Sequence, residues 1–111
     1  MMKRSRIAPV HPGAYLKELL NEMKISQYRL AKELGVPAMR INLLVNCKRP
    51  VTAELALRLG RYFGQNPRYW MNLQSQYDMD VAEDAFSEHV LHEVRPLVRS
   101  RRNSTLEIPG I

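Results

Sequence analysis

The sequence predicts an all-α fold, a bundle of five helices, or of six if the last helical segment restarts. From residue 12 onward, apolar residues recur three and four positions apart, which is the spacing of one face of an α-helix. No stretch alternates apolar and polar residues for the length of a β-strand. Glycine and proline residues divide the periodic segments at the places where helices would begin and end.

The first two helices have recognisable start and stop signals. Pro12 suits the first turn of a helix, and the apolar residues after it predict a helix over about 12–24. Ser26 can cap the next helix with its hydroxyl, and Gly35 ends that helix because glycine tolerates the left-handed backbone of a C-cap. The apolar positions are Leu16, Leu19, Leu20 and Met23 in the first helix, and Leu30, Ala31 and Leu34 in the second.

The third and fourth helices follow after short connectors. Gly35-Val36-Pro37 is a tight turn, and we expect the third helix over about 38–46. Thr52 can cap a fourth helix, which Gly64 closes. The apolar stripe of the fourth helix is Leu55, Ala56, Leu59 and Phe63.

The fifth helix is predicted to be the longest. Asn66 followed by Pro67 is a capping residue before a first-turn proline. No glycine or proline interrupts residues 68–95, so the helix can continue or restart as far as Arg95 before Pro96 ends it. Its aligned apolar residues are Trp70, Leu73, Tyr77 and Val81, whose spacing is typical of a core-facing stripe.

The positive charge of the chain is concentrated in its first half. The 111 residues have a net charge of +6, from 17 Lys and Arg against 11 Asp and Glu. Residues 1–50 hold ten Lys or Arg and three Glu, residues 51–95 hold four Arg and seven acidic residues, and residues 96–111 hold three Arg and one Glu. We therefore expect the first half to face a polyanion, and the later helical part to be mildly acidic.

The chain length suits a single domain, which we place over residues 11–95, between a basic N-terminal segment (1–10) and a flexible C-terminal tail (96–111). The single cysteine cannot form an internal disulfide, which fits a reducing cytoplasm. No apolar run approaches the roughly 18 residues of a membrane span. The basic N-terminus is not followed by the apolar stretch of a signal peptide. We expect a cytoplasmic protein without a membrane partner.

Residues 27–44 carry the signature of a helix-turn-helix DNA-binding unit, two short helices joined by a turn that contains glycine. Such a unit needs a small residue where the helices cross and a residue that tolerates positive φ in the turn. Ala31 and Gly35 meet these two requirements. The apolar residues expected to face the core are Val36, Ile41 and Leu44.

The third helix divides into two faces when its residues are placed at ~100° intervals. One face is apolar enough to be core, so the opposite face points outward, into the DNA major groove if the unit binds DNA. There, asparagine side chains can bond adenine edges and apolar side chains can pack on thymine methyl groups. The core face is Ile41, Leu44 and Val45, and the outward face is Met39, Asn42, Leu43 and Asn46.

Polar residues around this helix are candidates for backbone contacts. Gln27 begins the preceding helix, which would put its amide and the helix N-terminus near a phosphate. Arg40 lies on a flank of the third helix and suits a phosphate or a guanine, while Lys48 and Arg49 follow the helix. The predicted DNA-binding residues are Gln27, Ala38, Met39, Arg40, Asn42, Leu43, Asn46, Lys48 and Arg49.

Several short motifs occur together over roughly residues 7–83. They are His11-Pro12-Gly13, Ser26-Gln27-Tyr28-Arg29-Leu30-Ala31-Lys32, Gly35-Val36-Pro37, Arg40-Ile41-Asn42, Val45-Asn46, Lys48-Arg49, Thr52-Ala53, Ala56-Leu57-Arg58-Leu59, Arg61-Tyr62-Phe63 and Trp70-Met71-Asn72-Leu73-Gln74. With these motifs the chain resembles the HigA antitoxins, or virulence-associated protein I-like proteins, of the Xre/λ-repressor type of helix-turn-helix proteins.

The resemblance implies a λ-repressor-like five-helix bundle that dimerises through its C-terminal part. It also implies a repressor that binds a palindromic operator of its own operon. Members of this family neutralise HigB, a RelE-like toxin that cleaves mRNA on the ribosome. The expected partners are therefore double-stranded DNA, a small RelE-like toxin and a second copy of the chain, with no cofactor and no metal.

The chain departs from the family pattern at four positions. Cys47 stands where the family usually has glycine, which costs about 1 kcal/mol if the backbone there has positive φ. Leu43 and Met39 stand where Glu and a small polar residue are common, so an operator sequence does not carry over from the family. Ala14 replaces the Glu that commonly follows His-Pro-Gly.

Two other functions stay open at this point. One is a stand-alone Xre-type transcriptional regulator without a toxin, and a small toxin gene immediately upstream would argue against it. The other is an RNA- or ribosome-associated basic protein, which would bind without preference for one duplex sequence. Enzymatic activity is not predicted, because no nucleophile has a partnered His and acid in one motif and no glycine-rich phosphate loop occurs.

Several residues have an ordinary structural interpretation beside a functional one. His89 and His92 lie three apart on the fifth helix but make a poor metal site, so we expect them to be solvated. His11 is expected to cap the first helix or pack beside Pro12. Cys47 could sense oxidation beside the DNA face, although a tolerated substitution is favoured. The acidic residues of the fifth helix either pair with a basic toxin or form a solvated face; they are Asp78, Asp80, Glu83 and Asp84.

Overall fold

The computed structural model describes residues 8–98, and within that range it contains five α-helices and no β-strand. This confirms the all-α prediction, and the fifth helix runs without a break, so the described range has no sixth helix. Residues 1–7 of the basic N-terminal segment and residues 99–111 of the predicted C-terminal tail lie outside the described residues. The helices are α1 (Pro12–Met23), α2 (Gln27–Leu34), α3 (Ala38–Val45), α4 (Ala53–Phe63) and α5 (Pro67–Glu93).

The helix ends follow the local signals of the sequence. Side-chain atoms at the N-caps accept hydrogen bonds from backbone N–H groups of the first turns, which would otherwise lack partners. Gly35 (φ 76°) and Gly64 (φ 69°) end α2 and α4 in the left-handed conformation, as expected. The Gly13 N–H donates to His11 Nδ1 (2.8 Å), and the Arg29 N–H donates to Ser26 Oγ (3.0 Å). In the same way, the Leu55 N–H donates to Thr52 Oγ1 (3.2 Å) and the Arg68 N–H to Asn66 Oδ1 (2.9 Å).

The core lies where α1 to α4 meet the first part of α5. Trp70 of α5 is fully buried, and its indole N–H donates to Gln65 Oε1 at 2.7 Å, so its one polar atom is satisfied. The aliphatic core around it includes Leu16, Leu20, Leu30, Ile41, Leu44, Val51, Leu55 and Leu59.

Three positions of the predicted apolar stripes lie outside this core, two of them exposed and one half-buried. Met23, in the last turn of α1, is half exposed. Val81 is also exposed, because α5 leaves the bundle after Tyr77. The predicted stripes of α1 and α5 therefore each extend one position too far. Tyr77 itself is half-buried, and its ring meets the His11 ring edge-on with the centroids 4.8 Å apart.

The second half of α5 projects away from the bundle. A helix of 27 residues is about 40 Å long, which explains the elongated dimensions of 56 × 32 × 21 Å. Every described residue from Glu83 onward is exposed. Within residues 8–98, no helix combines the length and the apolar character that crossing a membrane requires.

Two contacts hold α3 and the loop after it on the rest of the bundle. A Cβ atom at Gly13 would lie 1.8 Å from the carbonyl oxygen of Leu44, so only glycine permits this approach of α1 to α3. On the other side, the buried Gln74 of α5 accepts a hydrogen bond from the Val51 N–H at 2.8 Å. Its amide nitrogen donates to Asp78 at 3.0 Å. The loop between α3 and α4 is thereby tied to α5.

Candidate nucleic-acid interface

The helices α2 and α3 form the predicted helix-turn-helix. Ala31 is buried at the crossing, and Gly35 takes the positive φ that the turn requires. The N–H groups of Gly35 and Val36 donate to the carbonyls of Lys32 (3.2 Å) and Ala31 (3.0 Å), which closes the end of α2. Val36 is partly buried and packs against the core, as the sequence predicted.

The core face of α3 is buried as the sequence predicted, and Met39 and Asn42 of the opposite face are exposed. The three core residues are at most 3% exposed, whereas Met39 is 65% exposed. Asn42 is exposed and Leu43 is half-buried. Large apolar side chains on an outward face, beside polar ones, are typical of a surface that contacts a partner. The core residues are Ile41, Leu44 and Val45.

A hydrogen bond joins the two helices on the outward side. Asn42 Nδ2 donates to Gln27 Oε1 at 3.3 Å, so the first residue of α2 and the recognition helix α3 are coupled. The bond uses one polar atom of each amide. The Gln27 nitrogen is the donor type that a phosphate accepts, and the Asn42 oxygen is the acceptor type that a base amino group meets.

Asn46 ends α3 rather than extending it. Its backbone has left the helical conformation, and its Nδ2 donates back to the carbonyl of Asn42 at 3.0 Å. Its side-chain nitrogen is therefore already engaged within the helix end. The predicted bound of residue 46 was one residue too long, which is the usual uncertainty of a helix end.

The backbone turns sharply after α3 at Cys47, which has φ 61°. The position where the family usually has glycine therefore has positive φ, and it carries an exposed, free cysteine. A Cβ atom in this conformation costs roughly 1 kcal/mol. Two hydrogen bonds stabilise the turn: the Cys47 N–H donates to the Leu44 carbonyl (2.9 Å), and the Lys48 N–H donates to the Leu43 carbonyl (2.8 Å). It presents Lys48 and Arg49 as exposed cations beside α3.

Arg40 is engaged with α4. Its Nη2 lies 3.2 Å from Glu54 Oε1 and 3.3 Å from Thr52 Oγ1. The other carboxylate oxygen of Glu54 is bound by Arg58, whose Nη1 also donates to the Leu34 carbonyl at 2.8 Å. The hydrogen bonds from Arg58 and Arg40 lower the pKa of Glu54 below its usual 4.5. Glu54 was not among the sequence candidates, because its 14-residue separation from Arg40 leaves no local signal.

A groove of about 400 Å³ runs between α3 and the loop that follows it. Its lining is mainly apolar, with Met39 and Leu43 from α3 and Pro50 from the loop. Arg40 and Arg49 contribute its cationic groups. Four of the nine predicted DNA-binding residues therefore line one groove, namely Met39, Arg40, Leu43 and Arg49.

The histidines and the acidic residues of α5 were the other candidates for a functional role. His11 caps α1, which confirms the structural interpretation. His89 and His92 are exposed, and residues 8–98 contain no group of three or more His, Cys, Asp or Glu that could hold a metal ion. On the acidic side of α5, Asp78 and Asp80 accept hydrogen bonds from Gln74 and Gln76. Pairing of this side with a toxin stays a prediction.

Comparison with known proteins supports the helix-turn-helix interpretation. A family model described as helix-turn-helix matches residues 16–70. Virulence-associated protein I of Dichelobacter nodosus is 38% identical over 93% of this chain and 94% of its own length. Antitoxin HigA-1 of Vibrio cholerae is 31% identical over 93% of this chain and 97% of its own.

Among solved structures, the Pseudomonas aeruginosa antitoxin HigA with the higBA promoter is similar to this chain. The two are 43% identical, with a TM-score of 0.77 over 81% of this chain and 99% of that one. The resemblance that the motifs indicated is confirmed. The chain belongs to the helix-turn-helix family that includes virulence-associated protein I and the HigA antitoxins.

Proposed function

We propose that this protein is a sequence-specific DNA-binding repressor and the antitoxin of a type II toxin–antitoxin pair. It represses its own operon by binding a palindromic operator, and it neutralises a HigB- or RelE-like toxin that cleaves mRNA. The observation that carries the proposal is the outward face of α3, with Met39 and Asn42 exposed in a chain 43% identical to an antitoxin solved with its promoter.

In this proposal the outward residues of α3 read bases and the surrounding residues hold the DNA backbone. Asn42 bonds an adenine edge, while Met39 and Leu43 pack on thymine methyl groups. Gln27 and the N-terminus of α2 contact a phosphate, as do Lys48 and Arg49. Ala38 contacts the DNA at the start of α3, and Asn46 contacts it at the end of this helix. Arg40, whose Nη2 is paired with Glu54, contacts a phosphate or a guanine.

The operator is bound by a two-fold dimer in this proposal. Two copies of α3 enter successive major grooves, ~34 Å apart. The projecting half of α5 supplies the dimer contact, supported by apolar side chains that are exposed along one stripe of the helix. These side chains are Met79, Phe86 and Val90, which are 52%, 57% and 52% exposed.

The toxin half of the proposal is supported by the relatives, because antitoxins recur among both the sequence and the structural matches. A DNA partner and an mRNA-cleaving toxin place the protein in the cytoplasm. The second candidate is a stand-alone regulator of the same fold, since the geometry of α2 and α3 concerns DNA and does not involve a toxin.

Co-expression separates the two candidates. The small gene next to this one is induced alone in a heterologous bacterium, and then together with this protein, while growth is measured. We expect arrest in the first case and recovery in the second. A harmless neighbour would favour the stand-alone regulator, and a toxic neighbour without rescue would mean that the pairing is wrong.

DNA binding is tested separately, by titrating the protein onto the promoter duplex of its own gene and onto a random duplex. We expect preference for the promoter and a steep loss of affinity with salt, since each neutralised phosphate contributes roughly −0.9 to the log–log slope. Equal affinity for both duplexes at every salt concentration would contradict the repressor function.

A further inference from the structure

The guanidinium of Arg40 points away from the outward face of its own helix. Arg40 belongs to the first turn of α3, the part of a recognition helix that approaches the bases. Its Nη2 nevertheless contacts Glu54 Oε1 at 3.2 Å and Thr52 Oγ1 at 3.3 Å, both at the start of α4. The side chain of Arg40 is 32% exposed, so the pair is accessible to solvent but partly covered.

Glu54 is itself held from the opposite side. Its Oε2 lies 3.0 Å from both Nε and Nη2 of Arg58. Arg58 is anchored in turn, because its Nη1 donates to the carbonyl of Leu34 at the end of α2. The carboxylate is therefore linked through Arg58 to the backbone at the end of α2.

A phosphate and Glu54 compete for the same guanidinium. While Arg40 is paired with Glu54, the carboxylate offsets the charge of the guanidinium, and Arg40 releases no counterion from DNA. An exposed ion pair is weak enough to open when a well-placed acceptor replaces the carboxylate. Random DNA placed loosely on the surface offers no such fixed acceptor, whereas an operator held in register by α3 does.

We propose that Glu54 is a positioning residue for DNA discrimination, which withholds Arg40 from phosphates in non-operator complexes. This inference rests on the proposed DNA-binding function. Glu54 thereby lowers the affinity for random duplexes more than the affinity for the operator.

The test measures affinity for the operator and for a random duplex across a salt series, for the wild type and for Glu54→Gln. The variant keeps the shape of the side chain and removes its charge. For the random duplex we expect the log–log salt slope to steepen by about 0.9, equivalent to roughly fivefold tighter binding at 0.15 M salt. The preference for the operator should fall accordingly.

The double variant Arg40→Ala/Glu54→Gln shows whether the effect passes through Arg40. We expect it to bind random DNA as Arg40→Ala does, without the gain. The matched control is Glu33→Gln, which removes the same charge from another exposed Arg pair, with Arg29, and should leave the salt slope unchanged. Thermal melting of each variant checks that it is folded.

Glu54→Asp is a second variant with the charge retained. Its side chain is one methylene shorter and cannot reach both guanidinium groups, so we expect a smaller gain in the same direction. An unchanged salt slope in Glu54→Gln would overturn the proposal, as would a gain that persists in the double variant or appears equally in Glu33→Gln. A wild type that binds neither duplex would instead contradict the DNA-binding function.

Discussion

At the residue scale, Asn42 and Arg49 occupy different parts of the same surface. Asn42 is exposed in the middle of α3, and Arg49 is exposed in the loop after it. A base contact carries sequence information, whereas a phosphate contact adds affinity to any duplex. This division predicts separable effects of two alanine substitutions.

We expect Asn42→Ala to lower the ratio of operator to random affinity by about tenfold, since a good base contact contributes roughly 1–3 kcal/mol of discrimination. Arg49→Ala should lower the affinity for both duplexes equally and reduce the log–log salt slope by about 0.9. Fluorescence anisotropy on the two duplexes measures both quantities. Identical behaviour of the two variants would disprove the assigned roles.

His11 links stability to pH. Burial lowers the pKa of its imidazole below 6.5, and the charge of Asp78 raises it by less. The unfolded chain therefore binds a proton at a higher pH than the folded chain does. Stability should fall as the pH drops below about 6.5, until the lower folded pKa is reached, because a protonated Nδ1 cannot accept from Gly13.

Urea unfolding between pH 7.5 and 5 measures this effect. The matched control is His11→Asn, which keeps a capping acceptor but does not titrate, and which should lose the pH dependence in that window. The lowered pKa values of Glu33 and Glu54 affect stability only at more acidic pH. A wild-type stability that is flat from pH 7 to 5 would contradict the argument.

At the scale of elements, the position of α3 depends on its contact with α1. Gly13→Ala would put a Cβ atom 1.8 Å from the Leu44 carbonyl, and backbone cannot yield as a flexible side chain does. We expect a loss of roughly 3 kcal/mol in the free energy of unfolding. The control is Gly64→Ala, which has φ +69° but nothing within 4 Å of the new Cβ, and should lose only about 1 kcal/mol.

Chemical denaturation of both variants gives the comparison. Gly13→Ala should also weaken operator binding, because α3 would move relative to the loop that Gln74 anchors. A Gly13→Ala protein that is no less stable than Gly64→Ala would show that the α1–α3 contact can relax.

At the scale of the whole molecule, we expect the projecting half of α5 to be needed for dimerisation but not for folding of the bundle. Phe86 is 57% exposed in this half, outside the core of the described residues. We expect Phe86→Asp to leave the helical content unchanged and to convert a dimer into monomers. Operator affinity should then fall at least about tenfold, because the two half-sites are no longer bound together.

Analytical ultracentrifugation and operator titration measure these two effects. Leu91→Asp is the control, since Leu91 is 73% exposed but lies on a different side of α5 from the stripe of Met79, Phe86 and Val90. A dimer that survives Phe86→Asp would place the interface elsewhere.

The local sequence determined the starts of α2, α4 and α5 and the ends of α2 and α4. Ser26, Thr52 and Asn66 act as caps, and Gly35 and Gly64 as stops, because these interactions involve residues two to four apart. The apolar spacing of α3 likewise determined which of its faces is buried. The class of fold and the outward face of the recognition helix therefore follow from the sequence alone.

Only the tertiary structure decided which apolar residues are covered and which charges meet. Met23 and Val81 keep the helical spacing but are exposed, because burial depends on whether another helix reaches that turn. Arg40 meets Glu54 across 14 residues, and Gln74 holds Val51 across 23. Such contacts arise from the packing angles of whole helices, which local spacing does not encode.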